Sequence, residues 1–474
     1  MPTISKTSQK LWPVWLTVAL VLSLWIGSKW YFQDPFDIVW KYPAKAASLT
    51  ASTLMVWCVV LATRMQVLED FFDGLDKVYQ VHRRLGRWAF FIILLHPFFL
   101  AVDRLPDMFL FLQDMWFIPP EGDRYLWGQN IGVAALLFMS LLVVLTLWIT
   151  PAYHIWKKTH EWFGLVLVLV MAHVFAVDAD VAAYPLLRYF FWGLLILSLG
   201  AFVYIRFLYR FVGPHYRYVV STIQRHGDVL KINFAPLEQK MDFKPSQFVY
   251  LVVDKPNISR EPHPYSIASG YNLEASFRLG IKKVGDHTRS LDRLQPGDHV
   301  TVYGPYGRFS DPFLSAERDC VFIGAGIGIT PFLGMWHVAL HSEERLPLQD
   351  VPQRLRRMHP EIIRSWKSPR VSLFYLCSTP EDASFDSDIR NEVIMSHFHG
   401  FETMEERGHH YEPYISSRQG RLTAEYVHQK IPGGVTDKFI FLCGPVGMTD
   451  SLIAQFTSLG VQRKHIVIED FNLL

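Results

Sequence analysis

A chain of 474 residues, half of them hydrophobic, is too long for one ordinary domain and too apolar for a purely water-soluble protein. Its formal charge of +2 comes without a polybasic run, which argues against nucleic acid as a partner. The four cysteines, Cys58, Cys320, Cys377 and Cys443, lie far apart with no CxxC, so they point to neither a disulfide framework nor a zinc site.

Up to about Arg210 the chain is a series of long apolar runs; beyond it come shorter alternating segments broken by Gly and Pro. Six runs are candidate membrane spans: residues 11–32, 46–63, 82–101, 130–150, 160–177 and 186–210. Each is close to the ~20 residues that cross a hydrocarbon core. The first resembles a signal peptide only loosely, because its apolar run is long and "AKA" at Ala44 falls well past its end. With the N-terminus inside, eleven Lys and Arg lie on the inner side against six on the outer, and six spans return the chain inside. The expectation is a multi-pass protein of the plasma (inner) membrane, in contact with the lipid bilayer, with its soluble half in the cytoplasm.

The third run, "VHRRLGRWAFFIILLHPFF", holds His82 and His96, and the fifth holds His160 and His173. Both runs cross in the same direction, so the four histidines form an inner and an outer tier. Few other ionisable groups lie in the spans, and two imidazoles per tier suit the two axial positions of a haem iron. Zinc would need more ligands at each level. A separation of 14 returns His96 to within ~40° of His82 on an ideal helix and places it ~21 Å further along the axis. A separation of 13 leaves His173 turned ~140° from His160. The fifth helix must therefore be distorted, as by a π-bulge, or the two haems must be displaced sideways from each other.

Histidine pairs 14 and 13 apart on the third and fifth of six helices, followed by a flavin module, resemble the ferric reductase and NADPH oxidase superfamily, the bacterial-type NADPH oxidases most closely. The resemblance implies two haem b groups, one ligated by His82 with His160 and one by His96 with His173. Arg83, Arg84 and Arg87 flank the inner tier. They read equally as positive-inside residues and as partners for haem propionates.

From Tyr216 to Phe309 short alternating segments predict a small antiparallel barrel. Within it "HPYSIAS" resembles the family's FAD motif, carried by His263, Pro264, Tyr265 and Ser266. Tyr265 can stack on the isoalloxazine and Ser266 can place a hydroxyl near its reactive nitrogen. "IKKVGDHT" resembles the pyrophosphate motif, with Lys282 and Thr288 at the matching positions. Lysine there replaces a bidentate arginine by a point charge.

From Asp319 strands and helices alternate. "CVFIGAGIGITPFLGM" reads as a buried strand, a Gly-rich turn and a helix start, in which Gly324, Gly326 and Gly328 let backbone amides approach a dinucleotide phosphate. "GAGIGITP", including Thr330 and Pro331, resembles the family's nicotinamide-nucleotide motif, and "KFIFLCGPVGM" puts Cys443, Gly444 and Pro445 where the family places them beside the nicotinamide. No arginine follows Ser378, although Arg421 could reach a 2′-phosphate from elsewhere, so NADPH is favoured only slightly over NADH. The charged stretch from His341 to Lys367 reads as a surface insertion. Phe471 matches the family's terminal aromatic, which covers the flavin and gates nicotinamide.

The expected fold is multidomain: a six-helix all-α transmembrane bundle at 1–212, an antiparallel β-barrel FAD domain at 213–314 and an α/β doubly wound NAD(P)H domain at 315–474. Ser266, Cys443 and Phe471 are the candidate catalytic residues. The implied activity passes electrons from cytoplasmic NAD(P)H through FAD and two haem b to a small-molecule acceptor outside, oxygen giving superoxide first. A ferric chelate is the close alternative, and an electron-donating module for a protein or quinone partner a third. No EF-hand loop or proline-rich tail is seen in the sequence, so a regulatory protein partner is not required by this reading.

Overall fold

The computed structural model describes residues 10–116, 124–149, 153–270, 276–341, 368–398 and 403–469. Phe471 and residues 342–367 of the expected insertion lie outside them. The chain divides after Val212 into two compact units.

The first unit contains six helices long and apolar enough to span a bilayer: Trp12–Tyr31, Lys41–Leu61, Leu75–Ala101, Trp127–Ile149, Ile155–Val177 and Pro185–Val212. All six expected runs are therefore present, with different ends. The third helix begins seven residues before His82, because the polar stretch that includes Asp76 and Lys77 belongs to the helix and not to a preceding loop. Apolar composition marks the part that must sit in hydrocarbon, whereas the hydrogen-bonded helix extends into the interface. Large apolar side chains such as Phe91, Leu95, Leu141, Phe175, Ile196 and Leu197 face outward, as a lipid-exposed surface requires. Inward faces pack through Val21, Trp25, Leu49, Val56, Leu187, Phe191 and Leu195. The fifth span is not one regular helix. It consists of Tyr153–Glu161 and Phe163–Val177, interrupted at Trp162, where the Trp162 and Leu165 amides bond three residues back instead of four. That is a tightened, 3₁₀-type turn rather than a π-bulge, and it falls between His160 and His173.

The second unit holds two sheets. The first is wholly antiparallel, in the order β4-β3-β6-β1-β2-β5, from β1 His215–His226, β2 Val229–Pro236, β3 Phe248–Val253, β4 His263–Ser266, β5 Phe277–Lys282 and β6 His299–Tyr306. Its curl brings Ile267, just past β4, into a bridge with Leu279 of β5. Tyr218, Phe234 and Phe277 fill the inside. The second sheet is parallel, in the order β11-β10-β7-β8-β9, from β7 Cys320–Ala325, β8 Val371–Cys377, β9 His410–Ile415, β10 Phe439–Cys443 and β11 Ile466–Ile468. Strands β8 and β10 are buried along their whole length and β7 up to Gly324, which is why they read as apolar runs.

Candidate functional site

In the membrane unit, three of the four candidate ligand histidines are oriented by backbone carbonyls. His82 Nδ1 donates to Cys58 O at 2.8 Å, His96 Nδ1 to Ala44 O at 2.9 Å and His173 Nδ1 to Gly128 O at 2.8 Å. A carbonyl only accepts, so each bond fixes the proton on Nδ1 and leaves the Nε2 lone pair as the ligand atom. The rings of His82 and His160 stand 5.9 Å apart, centre to centre, inclined at 43°. Two imidazoles bonded at about 2.0 Å to opposite sides of one metal ion put their ring centres roughly 6 Å apart. The donor set and this spacing both fit a bis-imidazole iron. His96 and His173 lie within electrostatic reach of each other. Gly132, on the fourth span, leaves room for the His173 ring: a Cβ there would lie 2.4 Å from Nδ1.

A cluster of buried charges adjoins the outer tier. Lys45 follows Ala44 and pairs with Asp178, the residue that ends the fifth helix. Lys29, 7% exposed, pairs with Asp180 at 3.1 Å, and Trp25 Nε1 donates to the same carboxylate at 2.8 Å. Each charge has an opposite partner, which is the condition for tolerating such groups at the membrane edge. Beside His82, Arg83 and Arg87 are exposed and Arg84 is half-buried.

In the barrel, β4 presents the HPYS segment. Tyr265 Oη and Ser266 Oγ are buried yet have no hydrogen-bond partner among the described residues. An unmatched buried hydroxyl costs about 1–3 kcal/mol, so two in adjacent residues mark a place shaped for a polar ligand, and the flavin that the motif implies fits it. His263 stacks on His287 at 3.6 Å, and burial lowers the pKa of His287, which keeps it neutral. Lys282, on β5, is paired with Asp228 at 3.3 Å. Thr288 Oγ1 accepts from the Val284 and Gly285 amides at 3.0 Å, so its hydroxyl is spent on shaping its own turn.

In the parallel sheet the strand order reverses between β7 and β10, and a ligand is expected at the carboxyl ends of such a pair. The motif residues meet there. A Cβ on Gly328 would lie 2.6 Å from Cys443 O, and one on Gly444 would lie 2.8 Å from Ala325 Cβ. Gly324 is equally tight against Ile329, and Gly326 adopts a φ of +54°. Thr330 and Pro331 open the helix Thr330–Leu340, with proline where the missing amide costs nothing. Pro445 caps the helix Val446–Ser458. Burial pushes the Cys443 thiol well above its ordinary range, so it is a neutral, compact wall and not a thiolate nucleophile. Arg421 is exposed in the segment after β9, and Ser417 of that segment donates to Ser378 O at 3.1 Å, bringing the segment to the end of β8.

Residues 47–171 match the ferric reductase like transmembrane component, and residues 220–310 match the oxidoreductase FAD-binding domain. NADPH oxidase 1 of Mus musculus is 28% identical over 34% of this chain and 28% of its own length. The chain thus joins a ferric-reductase-like transmembrane component to an oxidoreductase FAD-binding domain and is similar to NADPH oxidases. The chain is also similar to sulfhydrogenase 1 subunit gamma of Pyrococcus furiosus, 36% identical over 22% of this chain and 35% of that one. A flavohemoprotein of Vibrio cholerae is 23% identical over 49% and 52%. The chain thus spans between about a quarter and half the length of these relatives.

Sequence reasoning missed Ala44, Cys58, Gly128 and Gly132. The first three act through carbonyls, which every residue carries; the one signal was that Ala44 and Cys58 are 14 apart, matching His96 and His82 in antiparallel order.

Proposed function

We propose that the chain is a transmembrane flavocytochrome that moves electrons from NAD(P)H to an acceptor on the other side of the bilayer. The observation that carries this reading is the commitment of His82, His96 and His173 Nδ1 to backbone carbonyls, which presents Nε2 atoms in two tiers. When bound, FAD would convert a two-electron hydride into single electrons and two haem b groups would relay them. His82 with His160 would hold the inner iron and His96 with His173 the outer one. Tyr265 and Ser266 would seat the flavin, and the turn from Gly324 to Pro331 would hold the dinucleotide phosphates, with Cys443, Gly444 and Pro445 walling the nicotinamide. Lys282 would offer the pyrophosphate a point charge, and Thr288 would shape the turn beside it. In this reading, which the charge bias of the loops supports for orientation, the second unit lies in the cytoplasm and the protein in the plasma membrane.

Oxygen is the acceptor that this reading favours, because a relative carries the name NADPH oxidase. The test supplies purified, haem-loaded protein with FAD and NADPH or NADH. Reduction of cytochrome c that superoxide dismutase abolishes supports oxygen. Reduction of ferric citrate under anaerobic conditions, with no dismutase-sensitive signal in air, replaces oxygen by a ferric chelate. Flavin reduction with neither outcome overturns both.

A further inference from the structure

The helix Thr330–Leu340, which starts at the Gly-rich turn, carries His337 near its end, and His341 follows one turn later. Residues four apart share a helix face. Their rings stack 4.4 Å apart, centre to centre. The helix Asp386–Phe398 sends Glu392 into the same spot: its Oε1 lies 2.5 Å from His337 Nδ1 and 3.6 Å from His341 Nδ1. The ligand atoms of the three residues all lie within 4.8 Å of one another.

We propose that His337, His341 and Glu392 form a binding site for a divalent transition-metal ion of the zinc class. Two imidazoles and one carboxylate with water in the fourth position is a ligand set that zinc accepts, and a tetrahedral site with bonds of about 2.0–2.1 Å spaces its donor atoms roughly 3.3 Å apart. The His341 Nδ1–Glu392 separation is already close to that value, and because His341 Nδ1 also donates to His337 O at 2.9 Å, ligation through it gives up that bond and shifts the ring proton to Nε2. His337 and Glu392 are closer, because the Nδ1 proton of His337 is hydrogen-bonded to the carboxylate; when the ion takes Nδ1 this proton shifts to Nε2, and the two side chains part by under an ångström. Intermediate exposure of all three side chains leaves a route for the ion and its water.

The location gives the site a consequence. Asp388, one turn before Glu392, pairs with Lys231 and Arg278 of the barrel. His337 packs against Gly270, where a Cβ would lie 2.0 Å from its ring, and Gly334 sits against Ser269 O. A bound ion therefore ties the helix that begins at the nucleotide turn to a helix already anchored on the flavin barrel. It would fix how these two lobes of the soluble unit are held.

The experiment uses full-length, haem- and FAD-loaded protein without a polyhistidine tag, incubated with equimolar Zn²⁺ and gel-filtered, with zinc measured by mass spectrometry. One zinc per chain is expected for the parent and none for His341→Ala or Glu392→Gln. Zinc should raise the unfolding temperature of the parent and leave that of Glu392→Gln unmoved. Co²⁺ in place of Zn²⁺ should give visible ligand-field absorption only in the parent. Haem and FAD per chain, equal in all three proteins, show that the variants are folded. A parent that retains no zinc, or a Glu392→Gln protein that retains as much, overturns the proposal and leaves a hydrogen-bonded staple between two helices.

Discussion

Replacing Gly132 by alanine tests the outer histidine tier through a single methyl group. The added Cβ would stand 2.4 Å from His173 Nδ1 and 2.5 Å from Cε1. The ring cannot retreat without giving up its bond to Gly128 O at 2.8 Å, a neutral hydrogen bond worth about 0.5–1.5 kcal/mol. Overpacking of this kind costs a further ~1–3 kcal/mol. Together these amount to roughly one to three powers of ten in affinity, at about 1.4 kcal/mol each. Loss of the orienting partner of a metal-bound histidine is ordinarily worth about 10–100-fold, which overlaps that range. Haem content per polypeptide, measured as the pyridine haemochrome under limiting haem, should fall from two groups to one in Gly132→Ala. FAD content should not change. Gly193→Ala is the matched control, because a Cβ there meets nothing within 4 Å. Full haem content and an unshifted outer potential in Gly132→Ala would refute the assignment of His173 as a ligand held by this contact.

Three further outcomes follow from the soluble unit. Ser266→Ala removes a buried hydroxyl that has no partner, so the FAD-free protein should keep or gain stability, by up to about 1–3 kcal/mol, while FAD affinity falls; equal FAD affinity in a titration would take the hydroxyl out of the flavin site. Gly328→Ala forces a methyl group against Cys443 O and Gly444 N, backbone atoms that cannot swing away, and should raise KM for NAD(P)H at least about tenfold through ~1–3 kcal/mol of strain; stopped-flow flavin reduction at parental KM would exclude this loop crossing from nucleotide binding. His409 is buried, accepts from the Val371 amide at 3.0 Å and has its pKa pushed down to about 4 by burial first. Below its unfolded value of 6.5 the unfolded chain takes up a proton that the folded chain refuses, so stability contributed here is complete above pH 6.5 and falls away toward pH 4, by about 3 kcal/mol at most. Thermal scans of His409→Asn should show a shallower loss across that window, and an unchanged slope would mean that other groups govern acid stability.

Several features were legible because they are local. Six apolar runs of spanning length became six helices, since hydrocarbon tolerates little else. The glycines of "GAGIGITP" were readable because a turn this tight excludes a Cβ whatever surrounds it. Strand β9 was hidden by Pro413, which reads as a strand breaker but sits on the open edge of the sheet, and β11 was hidden by its length of three residues. The thirteen-residue offset between His160 and His173 gave the sequence two solutions, and the fold uses a tightened break at Trp162. The sequence by itself thus determined the spans, the four imidazoles and the glycine turns. Only the tertiary structure decided which carbonyls fix the imidazoles, that Thr288 spends its hydroxyl on its own turn, that Gly328 meets Cys443, and that His337 and His341 meet Glu392. Backbone acceptors are identical in every residue and long-range partners leave no periodicity, so these choices exist only once the helices and strands have packed.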